Sequence, residues 1–358
     1  MRWSFRIGQV AGTDIKVHVT FLLLLVWAAV ASYQQTGAAA AVDFTLFLLA
    51  LFGCIVLHEF GHILMARRFG VRTPDVILLP IGGIARLERI PEEPRQELLI
   101  ALAGPAVSLG IAGALFVLAI LLGLHPSLHD PLVDHQPFVV RLMAVNLYLL
   151  LFNLLPVFPM DGGRVLRAVL AHRLGLMRAT RIASGIGQVA AVAMGIVGFT
   201  VGAPMLMLVA LFVFLGAGAE ATAVDTRLAG EGLRVAQMMV TDFRTIPIHA
   251  TLSQAVELLL AGEQREFPVV DNSGRAEGLL TRDDMIRGLH TRGPNSTVGE
   301  SMTAGVPAVV PTLGFQEALD RLRSSRLPAL PVVEGGTLVG LLTLDNITDL
   351  LMVRRATR

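Results

Sequence analysis

Up to about Val224 the chain is a succession of apolar runs. Six of them, near 17–33, 43–66, 97–123, 138–159, 180–200 and 204–224, are about twenty residues long. A run of that length matches the hydrocarbon thickness of a bilayer as a helix, the one segment type whose backbone polar groups are all satisfied internally. A chain of 358 residues that is 54% hydrophobic and 16% charged falls outside the soluble enzymes of its size. Beyond Val224 the composition becomes mixed, as in a soluble globular domain. The expected fold class is a polytopic α-helical membrane protein of about six transmembrane helices with a C-terminal α+β domain.

The loops sort by charge. Arg2, Arg6 and Lys16 precede the first run; Arg67, Arg68, Arg72, Arg86, Arg89 and Arg95 follow the second; Arg164, Arg167, Arg173, Arg178 and Arg181 lie between the fourth and fifth. Segments 34–42, 124–137 and 201–203 contain no Lys or Arg, which by the positive-inside rule puts both termini in the cytoplasm of a multi-pass plasma-membrane protein. The Trp27 region lacks a small-x-small exit, so the first run is expected to remain attached. A net charge of +1 gives no nucleic-acid footprint, and the lone Cys54 excludes a disulfide framework or a Cys-based zinc site. His125, His129, Asp130, Asp134 and His135 read as solvated loop chemistry, lacking helical ligand spacing.

Against this background His58, Glu59 and His62 form an HEFGH box inside the second run. Ionisable side chains at membrane depth are costly and usually mark a pathway or an active site. Four residues apart on a helix, the two imidazoles share a face and can close on one ion, and Glu59 can reach a water beside it. Zinc at such a site acidifies water to a pKa of about 7 and polarises a carbonyl, while the carboxylate carries the proton to a leaving amine. The third ligand expected is Asp161, in Phe152–Arg164 (FNLLPVFPMDGGR). Pro156 and Pro159 break the helix there, and Gly162 and Gly163 permit a tight turn that aims the carboxylate at the metal. Asn153 could donate to an oxyanion or to the substrate backbone, or else bond another helix; Asn146 and Cys54 are expected to pack.

HEFGH in the second run, with N-L-L-P-x-x-P-x-D-G-G from Asn153 to Gly163 about ninety residues later, resembles the site-2 protease family of intramembrane zinc metalloproteases. The likeness extends over the apolar half, through Val17-His18-Val19-Thr20, Ile81-Gly82-Gly83 and Ala103-Gly104-Pro105. It implies one Zn2+ held by His58, His62 and Asp161, with Glu59 as base and Asn153 assisting. Between the second and third runs, residues 76–87 have strand-like content with a glycine turn. Such a hairpin could hold an extended substrate by strand addition, or merely anchor the loop.

The tail repeats itself at an offset near sixty-three. Val235 aligns with Val298, Met239 with Met302 and Ala255 with Ala318; Phe267-Pro268-Val269-Val270 aligns with Leu330-Pro331-Val332-Val333, and Gly278-Leu279-Leu280-Thr281 with Gly340-Leu341-Leu342-Thr343. Each copy reads as a strand, an amphipathic helix, two strands and a closing helix. The units resemble cystathionine-beta-synthase (CBS) domains. This implies a regulatory pair, with ATP or AMP contacted at Thr281 and Asp284 and a route to a homodimer. The second copy has Thr343 but Asn346, so one occupied site or none is expected rather than two.

The expected organisation is a membrane domain over 1–225, a linker over 226–234, and CBS units over 235–292 and 293–358. The expected activity is a zinc endopeptidase that cuts membrane-anchored proteins, such as transcription-regulator precursors, near the cytoplasmic face. The alternatives are a CBS-regulated transporter and a catalytically silent scaffold. A transport path calls for polar groups strung across the bilayer, whereas here they gather around HEFGH and Asp161.

Overall fold

A computed structural model describes residues 3–10, 12–80, 82–85, 93–124 and 136–357, which divide into two compact units, Met1–Val224 and Asp225–Arg358. In the first unit, β1 (Ser4–Val10) and β2 (Thr13–His18) form a hairpin ahead of α1 (Val19–Thr36) and α2 (Ala38–Arg68). The two helices are parted at Gly37, whose φ of 89° an L side chain rarely adopts. Next come β3 (Asp75–Leu79), β4 (Gly82–Ala85), α3 (Pro94–Leu121), α4 (Phe138–Asn153), α5 (Asp161–Leu174), α6 (Leu176–Thr200) and α7 (Pro204–Gly230).

Among the described residues five helices, α1, α2, α3, α6 and α7, are long and apolar enough to cross a bilayer, consistent with a multi-pass membrane protein. The fourth run is shorter than expected. α4 has 16 residues and stops at Asn153, because the segment carrying Pro156 and Pro159 leaves the helix. Val17 and His18 also differ from expectation, ending β2 rather than starting the first helix. β2 finds its partners on both sides, antiparallel to β1 and parallel to β3, and β4 closes the sheet order β1-β2-β3-β4 as an edge strand. Val17 and Leu78 bury the sheet against Phe21 and Phe52, whose ring centroids are 4.3 Å apart. The His125–His135 cluster, Arg86, Arg89 and the far end of the expected 76–87 hairpin lie outside the described residues. Cys54 is buried with Phe47 and Leu142, the packing role expected of it.

The second unit carries the repeat. In the first copy β5 (Ile246–Pro247), α8 (Leu252–Leu260), β6 (Glu266–Val270), β7 (Ala276–Thr281) and α9 (Arg282–Arg292) follow the expected order. β8 (Thr303–Ala304) adds to β7, and the second copy continues with α10 (Phe315–Ser325), β9 (Ala329–Glu334), β10 (Thr337–Thr343) and α11 (Leu344–Ala356). Its opening strand is reduced to a single bridge, Val309 to Val332. Each copy has its own core, one around Phe267, Val269 and Leu280 and the other around Leu330, Val332 and Leu342; Leu279, Ala329 and Leu341 pack between them.

Candidate metal centre

The last third of α2 delivers His58 and His62 to one face, both buried, at 4% and 5% exposure. Asp161 comes from the first turn of α5 and is also buried. Its Oδ2 lies 3.1 Å from each Nε2, and the two Nε2 atoms are 3.1 Å apart. Among the described residues this is the one group of three His, Cys or carboxylate side chains whose ligand atoms converge.

Three observations test this triangle against a divalent ion. First, the donor atoms are spaced close to the roughly 3.3 Å edge of a tetrahedron built on bonds of about 2.0 Å. Second, His62 Nδ1 lies 2.7 Å from the Ile100 carbonyl, which only accepts, so the ring proton is on Nδ1 and the Nε2 lone pair faces its neighbours. His58 Nδ1 is 2.8 Å from the hydroxyl of fully buried Ser108. Third, Gly104 on α3 faces the donors without a side chain, and a Cβ there would stand 2.7 Å from His58 Nε2 and closer still to that of His62. The donor set fits zinc. The surrounding side chains are of a suitable kind, since the carboxylates of Glu59, Glu97, Asp161 and Glu220 gather here beside Arg164 and Arg167.

Glu59 and Asn153 line the same cavity of about 340 Å³ as the three donors, together with Gly82, Gly83, Arg164 and Phe212. Asn153 ends α4, and its carboxamide has no partner within the described residues. Gly83 in the edge strand leaves room for Glu59, because a Cβ at that position would come 2.8 Å from Glu59 Cγ. One expectation needs correcting. Gly162 and Gly163 are not a turn beside Asp161 but residues of α5. Their lack of side chains lets the helix press on the preceding loop, where a Cβ at Gly163 would lie 2.6 Å from the Phe158 nitrogen.

Sequence reasoning missed the supports contributed by Ile100 and Ser108. Neither residue type announces a ligand partner, although Gly104 lies in a segment that resemblance had marked. Thr281 and Asp284 belong to the second unit. There the Thr281 hydroxyl donates to Asp284 Oδ2 at 2.7 Å and caps α9.

Comparison with known proteins adds to the geometry. The model of peptidase family M50 matches residues 46–130 and 130–199, and that of the CBS domain matches 235–291 and 298–353. A zinc metalloprotease of Methanocaldococcus jannaschii is 33% identical over 347 residues, covering 97% of this chain and 96% of its own length. Rip3 of Mycobacterium tuberculosis, which carries the zinc metalloprotease name, is 32% identical over 378 residues, covering 99% and 94%. The solved structure of a site-2 protease from M. jannaschii aligns at 35% identity with a TM-score of 0.48, covering 61% of this chain and 95% of that one.

Gly104→Ala is expected to lower zinc affinity at least about tenfold, the scale typical of damage next to ligands, with the helical circular dichroism signal retained. Metal analysis of the purified protein checks it, and a full complement of zinc in the variant would contradict this account of the pocket.

Proposed function

The chain belongs to peptidase family M50, as a zinc metalloprotease of the site-2 type with a CBS pair, and on that footing we propose that it cuts membrane-anchored proteins near the cytoplasmic face. The observation that carries this reading is the convergence of His58, His62 and Asp161 from two helices in one cavity with Glu59 and Asn153. We assign His58, His62 and Asp161 as zinc ligands, Glu59 as the general base and Asn153 as a donor to the substrate carbonyl. Zinc supplies Lewis acidity, polarising the scissile carbonyl and acidifying water. Glu59 takes the proton of the attacking water and returns it to the leaving amide nitrogen. Asn153, without a partner among the described residues, can turn its N–H groups to the oxygen where negative charge develops. Ile100 and Ser108 hold the two imidazoles so that no rotation is needed as the reaction proceeds.

The depth of the site supports cleavage near one surface. His62 precedes Arg68, the end of α2, by six residues, about 9 Å of helix. The arginine bias of that side supports a cytoplasmic assignment for it and for both termini. Transcription-regulator precursors are substrates that this topology would suit. An extended segment is needed at the zinc, and β4, an edge strand whose Gly82 and Gly83 line the cavity, offers its backbone for strand addition.

For the CBS pair we propose one adenine-nucleotide site, in the cleft of about 480 Å³ lined by Thr281 and Asp284. Arg265, Arg282, Arg287 and Arg326 in its walls, which stand against Glu266, Asp283, Asp284 and Asp345, would receive phosphate. The other cleft, about 900 Å³, carries Asp242, Glu263, Glu266, Asp345 and Asp349 against Arg265 and Arg282, and is less suited to an anion. Asn346 there already donates to the Met238 carbonyl at 2.6 Å. The pair also offers a surface for homodimerisation.

Three outcomes are expected. Glu59→Gln should keep its zinc and lose about 10²–10⁴-fold in turnover, the usual share of a general base. Quantitative proteomics of membranes from wild-type and Glu59→Gln cells, with metal analysis of both proteins, reads this out, and unchanged cleavage would remove Glu59 from the chemistry. Proline at whichever of Ile84 and Ala85 turns its amide away from β3 should cut cleavage at least about tenfold at full zinc content, by removing a donor an added strand needs. Calorimetric titration of the full-length protein with AMP and ATP should give one nucleotide per chain, with binding abolished in Asp284→Ala; two equivalents, or none, would refute the single-site assignment.

A further inference from the structure

Behind the donor set lies a buried ion network with no part in the chemistry above. Arg167 sits on α5 six residues beyond Asp161 and is 2% exposed. Its Nε donates to Glu97 Oε1 on α3 at 2.7 Å, its Nη2 meets the same oxygen, and its Nη1 donates to Glu220 Oε1 on α7 at 2.6 Å. Its guanidinium carbon also stands 5.0 Å from the ring centre of Phe158, in the loop that leads to Asp161. Apolar side chains of similar volume often replace a buried ion pair without loss of stability, so stability alone gives little reason to keep one. What such a pair does supply is a geometry, since two hydrogen-bonded charges tolerate little displacement.

The face of α3 shows which geometry is at stake. Glu97, Ile100, Gly104 and Ser108 recur at three- and four-residue intervals and so form one stripe. Ile100 accepts from His62, Ser108 pairs with His58, Gly104 leaves room for both Nε2 atoms, and Glu97 reaches across to α5. The histidines are thus referred to α3 directly. Asp161, 99 residues from His62 in sequence, depends on where α5 is held. Arg167 joins that helix to the same stripe, two turns along from the carboxylate.

We propose that the Arg167–Glu97 pair, anchored a second time by Glu220, is a positioning device that keeps Asp161 at ligand distance from His58 and His62, so that it maintains metal affinity rather than the fold. This rests on the assignment of those three residues as zinc ligands. Arg167 touches neither metal nor substrate in this role.

The test uses the full-length protein in detergent, stripped of metal. Zn2+ is titrated against a competing chelator, Co2+ is titrated by its visible absorption, and the thermal midpoint of the metal-free protein is measured. In Glu97→Gln/Arg167→Met both charges go and the volumes are nearly kept. This variant should melt within a few degrees of wild type, bind zinc at least about tenfold more weakly and show a weaker, shifted cobalt spectrum, while Arg167→Lys should fall between. Wild-type zinc affinity and an unchanged cobalt spectrum in the double variant would overturn the proposal, as would a lowered thermal midpoint with affinity intact. If the double variant does not fold, Glu97→Gln alone, which keeps an acceptor of the same size, is read by the same criteria. A wild-type protein that binds neither metal would overturn the ligand assignment itself, and the positioning role with it.

Discussion

His58 and His62 are buried on α2, and much of the first unit answers that one constraint. His58, Glu59 and His62 stand in a helix whose other neighbours are Phe, Leu, Ile and Val, where an unpaired charge or donor is expensive. The histidines and the arginine behind them are accordingly matched. The imidazole Nδ1 atoms meet a carbonyl and a hydroxyl of α3, and Arg167 meets two carboxylates. Removing one partner of such a pair leaves the other buried and uncompensated, whereas removing both together need not cost stability.

The same constraint explains why irregular backbone gathers here. α4 ends at Asn153, the following loop packs under the glycines of α5, and β4 brings Gly82 and Gly83 to the cavity wall. Backbone outside helices is tolerated at such depth only when it lines protein or a wet cavity. The short α4, the loop and the edge strand together form that lining. A free strand edge costs unsatisfied amides in lipid, and β4 instead places its glycines at the wall of the cavity.

How much of this could be read from the sequence depends on the range of the interaction. His58, Glu59 and His62 were legible because four-residue helical spacing puts their relation within a single turn. Asp161 was legible as a carboxylate beyond a proline break, although its neighbouring glycines turned out to serve packing. The repeat in the tail was visible because each copy restates the other. Contacts formed only in three dimensions left no such trace. β2 reads as the flank of an apolar run until β3, some sixty residues on, pairs with it in parallel. Glu97 and Arg167, 70 residues apart, look like ordinary charges at the end of an apolar run and in a loop until α3 and α5 are brought together. Ser108 and Ile100 are chemically plain, and only the direction of His58 and His62 gives them meaning.

The tail carries the converse lesson, that near-identical local sequence can be given different electrostatics by its surroundings. Thr281 and Thr343 cap the closing helices of the two copies in the same way, each accepting from the backbone N–H three residues on. What differs is the residue at that third position and what the clefts collect around it. Asp284 keeps a carboxylate beside Arg287 and near Arg326, whereas Asn346 turns its amide to the Met238 carbonyl in a cleft with five carboxylates. Duplication preserved the cap, which the fold of each copy needs, and left the cleft free to diverge. The asymmetry is therefore a better guide to ligand choice in such a pair than the shared motif, because a phosphate responds to the summed field of the cleft and not to one threonine.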